Sequence, residues 1–412
     1  MSTRPKLVVV GNGMAGAKTL EHLLEAAPGR YEITVFGSEP HPNYNRILLS
    51  PVLAGEMSLS DIVINDAAWY RRHGITLCLG KTVTTIDRRH RIVRTADGAT
   101  AAHDRVLLAT GSTPVRLPLE GADLEGVLTY RDIADTDAMI AASRNAGATA
   151  SKHTHGRTRR AVVIGGGLLG LEAANGLQRR GMAVTVLHVM PWLMERQLDR
   201  TAAETLQSAL EARGVAFRLS AATRAIEGRN GKVAAVVLKD GGRIETDLVV
   251  MAVGIRPNVW LAESCGLRVD RGIVVDDTLQ TFDPRIYAVG ECVAHRGVGY
   301  GLVAPLYEMA RVCASHLAAV GTQYYIGSVP ATRLKVTGVD VFSAGDFSGS
   351  ARSQALTLCH PAGGVYRKLV IEDDVLVGSV LVGDTSAASQ YAALIAGRQN
   401  VAAIRDQLMF MV

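Results

Sequence analysis

Two stretches of the chain repeat one pattern of apolar and polar positions. Residues 6–10 read Lys-Leu-Val-Val-Val, a short β-branched run. A turn of small residues follows at Gly11-Asn12-Gly13-Met14-Ala15-Gly16. Helical spacing then runs through Thr19, Leu20, Leu23 and Leu24, and a second β-branched run occupies residues 32–36. The order returns further on. Residues 160–164 lead into Gly165-Gly166-Gly167-Leu168-Leu169-Gly170, a helical spacing through Leu171, Ala174 and Leu177 ends at Gly181, and residues 183–187 form the next apolar run. Both stretches predict strand, glycine turn, helix, strand, the unit of a parallel sheet.

That context lifts a bare G-x-G-x-x-G above chance. The first glycine (Gly11, Gly165) allows the tight turn, the second (Gly13, Gly167) lets a pyrophosphate approach the backbone, and the third (Gly16, Gly170) lets helix pack on strand. The helix N-terminus offers amide protons to the phosphates. Glu39, just past the second run, can accept hydrogen bonds from a ribose hydroxyl. The corresponding place in the second stretch is His188, so the sequence leaves NADH and NADPH both open. Three further apolar runs end on small residues: at Ala109-Thr110-Gly111, at Val253-Gly254, and at Gly290, followed by Glu291. From Tyr324 onward short alternating runs (334–336, 368–371, 375–381) predict an antiparallel sheet, with a helix over 389–396 packed on it.

Composition narrows the class. A length of 412 residues suggests two to four domains. With 48% hydrophobic and 20% charged residues the chain is not a disordered one, and 42 glycines without a triplet repeat point to turns and close backbone approach. A net charge of +5 with no basic stripe among aromatics gives no reason to expect nucleic acid. No apolar run approaches the ~18–20 residues that cross a bilayer. The start resembles a signal peptide, but its apolar core at 7–10 is too short, so a cytoplasmic protein is expected. The five cysteines (78, 265, 292, 313, 359) form no C-x-x-C pair and suggest no metal site. The basic stretch 152–160 reads as a solvated linker.

In this order the runs resemble the two-dinucleotide flavoprotein reductases, the glutathione-reductase-like superfamily. The implied fold is α/β: two Rossmann-like dinucleotide-binding domains plus a C-terminal α+β domain. The expected division is an FAD domain over 1–117 and 250–322, an NAD(P)H domain over 118–249, and a last domain over 323–412. A closer likeness lies in Pro42-Asn43-Tyr44-Asn45-Arg46-Ile47-Leu48-Leu49-Ser50, in 167–177, in Leu193-Met194-Glu195-Arg196-Gln197-Leu198-Asp199, in Tyr287-Ala288-Val289-Gly290-Glu291-Cys292, and in 334–341 and 382–386. These segments resemble the flavin module of the NAD(P)H-dependent nitrite reductase large subunit and the electron-transfer subunit of assimilatory nitrate reductase.

The resemblance implies FAD on the first glycine motif and NADH or NADPH on the second. For FAD it implies Gly11, Asn12, Gly13, Met14, Ala15, Gly16, Glu39, Arg46, Ser50, Val83, Ala109, Thr110, Gly111, Gly290 and Glu291. To these it adds Ala304, Pro305 and Leu306, whose helix N-terminus is expected to face the flavin. For NAD(P)H it implies Gly165, Gly167, Leu168, Leu169, Gly170, Glu172, His188, Val253 and Gly254. Arg46 and Glu172 are expected close to the flavin ring. The lysine that follows the Arg-x-x-Leu-Ser segment in the ferredoxin-reductase branch is here Pro51, which leaves Glu172 without its usual partner. With no cysteine in 43–50, thiol relay chemistry is not expected.

The expected function is an NAD(P)H-dependent FAD oxidoreductase that feeds a separate redox protein, a nitrite or nitrate reductase component or an iron–sulfur protein. Nitrite or nitrate reduction itself is then expected on another polypeptide. Alternatives are a ferredoxin or rubredoxin reductase for another redox chain, and a redox sensor that binds both nucleotides without turnover. The last domain leaves a homodimer open.

Overall fold

Strand β1 (Lys6–Val10) has Leu7, Val8, Val9 and Val10 all buried, as a parallel strand covered on both faces requires. Helix α1 (Met14–Ala26) starts at Gly13, whose extended backbone ends the glycine turn, and it buries Leu20 and Leu23. Strand β2 (Glu32–Phe36) pairs with β1 in parallel, Lys6 opposite Glu32 and Val10 opposite Phe36. The full sheet runs Ile286–Ala288, Arg105–Leu108, β1, β2, Thr76–Cys78, all parallel. The order reverses at β1, which opens a crevice at the strand ends where the glycine turn lies. These elements belong to a unit of Met1–Ile47, Leu59–Thr113 and Ile255–Ser328. The computed structural model describes residues 4–144, 158–336 and 338–411. Residues 152–157 of the basic stretch lie outside them.

The second unit comprises Leu48–Ser58, Pro114–Gly254 and Val329–Val412. Its first piece is the short helix α2 (Leu49–Ala54). Strand β3 (Arg160–Ile164), helix α3 (Leu168–Arg179) and strand β4 (Ala183–Leu187) repeat the build of the first unit. The parallel sheet runs Val127–Thr129, Leu248–Met251, β3, β4, Val215–Arg218, again reversing at the strand that precedes the glycines. The expected α/β class with Rossmann-like sheets is what the chain adopts. Where the sequence suggested cuts at 117/118 and 249/250, the units meet at 113/114 and 254/255. Leu48–Ser58, read with the first domain, goes with the second unit. The cause is local. A Cβ on Gly176 of α3 would stand 2.7 Å from Leu53 Cγ, so the glycine lets α2 lie close, and Arg180 donates to the carbonyls of Leu53 and Val52 at the end of α2.

The C-terminal part of this unit is an antiparallel sheet in the order Ala331–Val336, Val339–Gly345, Val375–Val382, Val365–Glu372, Gln354–His360. Helix Ala388–Gly397 covers it through a core of Phe342, Leu369, Leu376, Leu381 and Tyr391. Tyr366 on this sheet donates to Asp199 (2.8 Å), the residue that also caps helix Arg200–Glu211 by accepting from the Ala202 amide. Among the described residues no helix is long and apolar enough to cross a membrane.

Candidate dinucleotide sites

In the first unit Gly11 sits at φ +108°, and a Cβ there would lie 2.1 Å from the Ala109 carbonyl oxygen. A Cβ on Gly16 would lie 2.9 Å from the Gly11 carbonyl oxygen. Gly13 is different: nothing stands within 4 Å of its Cβ position. The outer glycines are therefore fixed by the fold, while the middle one faces open space where a phosphate can approach bare backbone. Met14, Ala15 and Gly16 form the first turn of α1, whose amide protons point the same way. Ala109, Thr110 and Gly111 follow the neighbouring strand, and Thr110 exchanges hydrogen bonds with Asn258 (2.7 and 2.9 Å), a residue the sequence did not single out. Asn12 accepts from Tyr70 (2.6 Å) through Oδ1, while its Nδ2 is a buried donor that no protein acceptor meets. A buried orphan donor in the glycine turn fits a ligand that brings acceptor oxygens.

Glu39, half-buried past β2, accepts from Tyr44 (2.7 Å) and from Arg46. Arg46, expected close to the flavin ring, is thus paired with Glu39, the acid expected to meet a ribose hydroxyl. Glu291 accepts from Ser112 (2.7 Å), and a Cβ added at Gly290 (φ +93°) would stand 3.0 Å from the Ala15 Cβ. Val83 is buried at the head of the strand Val83–Asp87. Helix Val303–Leu317 does begin at the expected point, with Ala304, Pro305 and Leu306 in its first turn, and it packs along α1.

The second unit repeats the steric signature. Gly165 sits at φ +121° with a Cβ position 2.2 Å from the Ala252 carbonyl oxygen, Gly170 would touch the Gly165 carbonyl at 1.9 Å, and Gly167 faces open space. Leu168 and Leu169 open α3 beside it, and Val253 and Gly254 (φ +113°) follow the adjacent strand. His188 is buried after β4. Its Nδ1 accepts from the Gly166 amide (3.1 Å) and its Nε2 meets Glu195 (3.0 Å).

Glu172, on α3, is joined to the start of α2. Tyr130 lies 2.9 Å from Ser50 Oγ, and Ser50 donates to Glu172 (2.6 Å). With the one Ser50 proton on Glu172, the Tyr130 hydroxyl donates to Ser50. Burial pushes the Glu172 carboxyl up to about 7, with the Ser50 hydrogen bond acting against it. Burial also raises Tyr130, which therefore stays neutral. Ser50 and Glu172 were expected together; Tyr130 was missed, because nothing local marks a tyrosine that closes a contact 80 residues away.

Two cradles of one build, one in each unit, define a protein made to hold a pair of dinucleotides. The pattern of one family covers most of the chain, residues 5–316, and a second, that of the rubredoxin NAD+ reductase C-terminal domain, covers 330–399. The chain belongs to the pyridine nucleotide-disulphide oxidoreductase family. It is 49% identical over 392 residues to a nitrite reductase [NAD(P)H] of Bacillus subtilis, covering 95% of this chain and 47% of that one. It is 46% identical over 382 residues to the assimilatory nitrate reductase electron transfer subunit of the same organism, covering 93% and 48%. The chain thus spans about half the length of these curated relatives. Among solved structures, putidaredoxin reductase in its covalent complex with putidaredoxin matches with a TM-score of 0.85 at 26% identity, over 97% of this chain and 94% of that one.

Proposed function

We propose that the chain is an NAD(P)H-dependent FAD oxidoreductase that delivers electrons to a nitrite or assimilatory nitrate reductase component. The observation that carries the reading is the duplicated cradle: in each unit two glycines are locked by backbone contact and the one between them is left open. The first unit is the one for FAD and the second for NAD(P)H. Bound FAD would supply an acceptor for the nicotinamide hydride that can pass electrons on one at a time. The protein's part is positioning. Gly13 and Gly167 admit the pyrophosphates, the N-termini of α1 and α3 hold them, Ser112 orients Glu291, and Ser50 orients Glu172. Burial pushes the Glu172 carboxyl up to about 7, so around physiological pH it can take up or release a proton.

The likeness to the two Bacillus subtilis proteins supports the choice of acceptor. A rubredoxin- or ferredoxin-type acceptor is the second reading, supported by the C-terminal match over 330–399. We place the protein in the cytoplasm, its last domain offering a surface to the redox partner or to a second copy of the chain. The purified protein is expected to be yellow and to lose its visible flavin band when NADH or NADPH is added without oxygen. Mixed with candidate acceptors, it should reduce the nitrite or nitrate reductase component fastest. A colourless protein that takes up no FAD would refute the oxidoreductase reading. Faster reduction of rubredoxin or a ferredoxin would replace the acceptor.

A further inference from the structure

We infer that Glu195, held by the buried His188, is the acid that reads the adenosine ribose in the second cradle and makes this chain select NADH over NADPH. The inference rests on the second cradle's being the NAD(P)H site. In dinucleotide folds a carboxylate about 20 residues past the glycines binds the ribose diol and repels a 2′-phosphate, whereas a nearby arginine accommodates that phosphate. The chain has His188 at that place, and both of its ring nitrogens are already engaged by the protein.

The structure shows where the missing carboxylate comes from. The Gly166 amide donates to His188 Nδ1 (3.1 Å), which fixes the tautomer: Nδ1 accepts, so Nε2 carries the proton and donates to Glu195 Oε2 (3.0 Å). On the other side of the same residue, the Gly166 carbonyl accepts from the Met194 amide (3.0 Å). Met194 turns through the left-handed region (φ 51°), and the next residue, Glu195, is delivered to the glycine turn by that bend. Gly166 has to be glycine for this packing, since a Cβ would stand 2.7 Å from Leu193 Cδ2 and 2.9 Å from His188 Cγ. His188 is 8% exposed at its side chain and Glu195 25%, so the histidine is the buried support and the carboxylate the reachable group. Beside them Val189 and Met190 present exposed apolar side chains, a surface suited to an adenine ring. Glu195 thus acts on the nucleotide directly and His188 is a positioning residue. The rival is Arg218, exposed at the end of strand Val215–Arg218, whose carbonyl accepts from the His188 amide. In an NADPH enzyme Arg218 would hold the phosphate.

The test measures binding, not turnover. ADP-ribose and its 2′-phosphate are titrated calorimetrically into the flavin-loaded protein. The wild type is expected to bind ADP-ribose about tenfold or more tightly than the 2′-phosphate, by like-charge repulsion at Glu195. Glu195→Gln, which keeps the shape and removes the charge, should bring that ratio close to one while leaving the melting temperature in place. His188→Ala, which releases the carboxylate, should lower the same ratio, a change that mere loosening of the fold would not produce. An unchanged ratio in Glu195→Gln overturns the inference. So does a wild type that prefers the 2′-phosphate and loses that preference in Arg218→Ala. Binding of neither ligand by the wild type removes the reading of the second cradle, and this inference with it.

Discussion

Replacing Glu172 with glutamine isolates the effect of one buried carboxyl. In the unfolded chain the group titrates near 4.5, and burial raises it to about 7 in the folded protein. Between those values the folded state binds more protons than the unfolded one, so stability falls as pH rises and levels off above about 7. A shift of that size corresponds to about 3 kcal/mol, and the solvent contact that Glu172 retains brings the expected effect to roughly 1–3 kcal/mol. Glutamine resembles the protonated acid and can still accept from Ser50 Oγ. Glu172→Gln should therefore come within about 1 kcal/mol of the wild type's stability at pH 5 and exceed it by clearly more at pH 8.5. Thermal unfolding of the flavin-loaded protein at the two pH values reads this out, at about 2–4 °C per kcal/mol in a unit of this size. Infrared spectra of the wild type should show a protonated-carboxyl band that disappears with a midpoint near pH 7 and is missing from the variant. A stability difference of equal size at both pH values would refute the assignment, because a neutral side chain and an ordinary ionised glutamate would then differ only in packing.

Further outcomes follow from the same geometry. Gly165→Ala should cost at least ~3 kcal/mol by thermal melting, since its Cβ would overlap the Ala252 carbonyl at a positive φ, whereas Gly167→Ala should fold normally and lose about tenfold or more in NADH affinity. Asp199→Ala removes a helix cap and the acceptor of the buried Tyr366 hydroxyl, and should lower stability by about 2 kcal/mol in denaturant titrations. Cys359 is exposed while Cys292 and Cys313 are buried with their thiols pushed up by burial, so a thiol reagent followed by peptide mapping should label Cys359 first. Flavin reduction by NADH should survive that labelling, as it would not if a thiol relay carried the electrons.

The parts legible in the sequence are those whose causes are local. Gly11, Gly16, Gly165 and Gly170 answer to backbone clashes within one strand–turn–helix unit or with the strand next to it, and a glycine pattern in that context is enough to place them. The alternating runs of the last domain likewise state their own period. Glu195 and Tyr130 were not legible, because their places depend on contacts made after the chain has folded back: a left-handed turn at Met194 locked by the Gly166 carbonyl, and a hydroxyl reaching Ser50 from 80 residues away. The segment Leu48–Ser58 belongs with these, yet it left a trace. Gly176 lies inside a helix, where glycine costs roughly 0.5–1 kcal/mol against alanine. A helix keeps such a residue when something must come closer than a methyl group allows, and what comes close here is Leu53. The conflict between local propensity and the helical pattern was the available signal that another element crosses α3 at that turn, just one turn beyond Glu172.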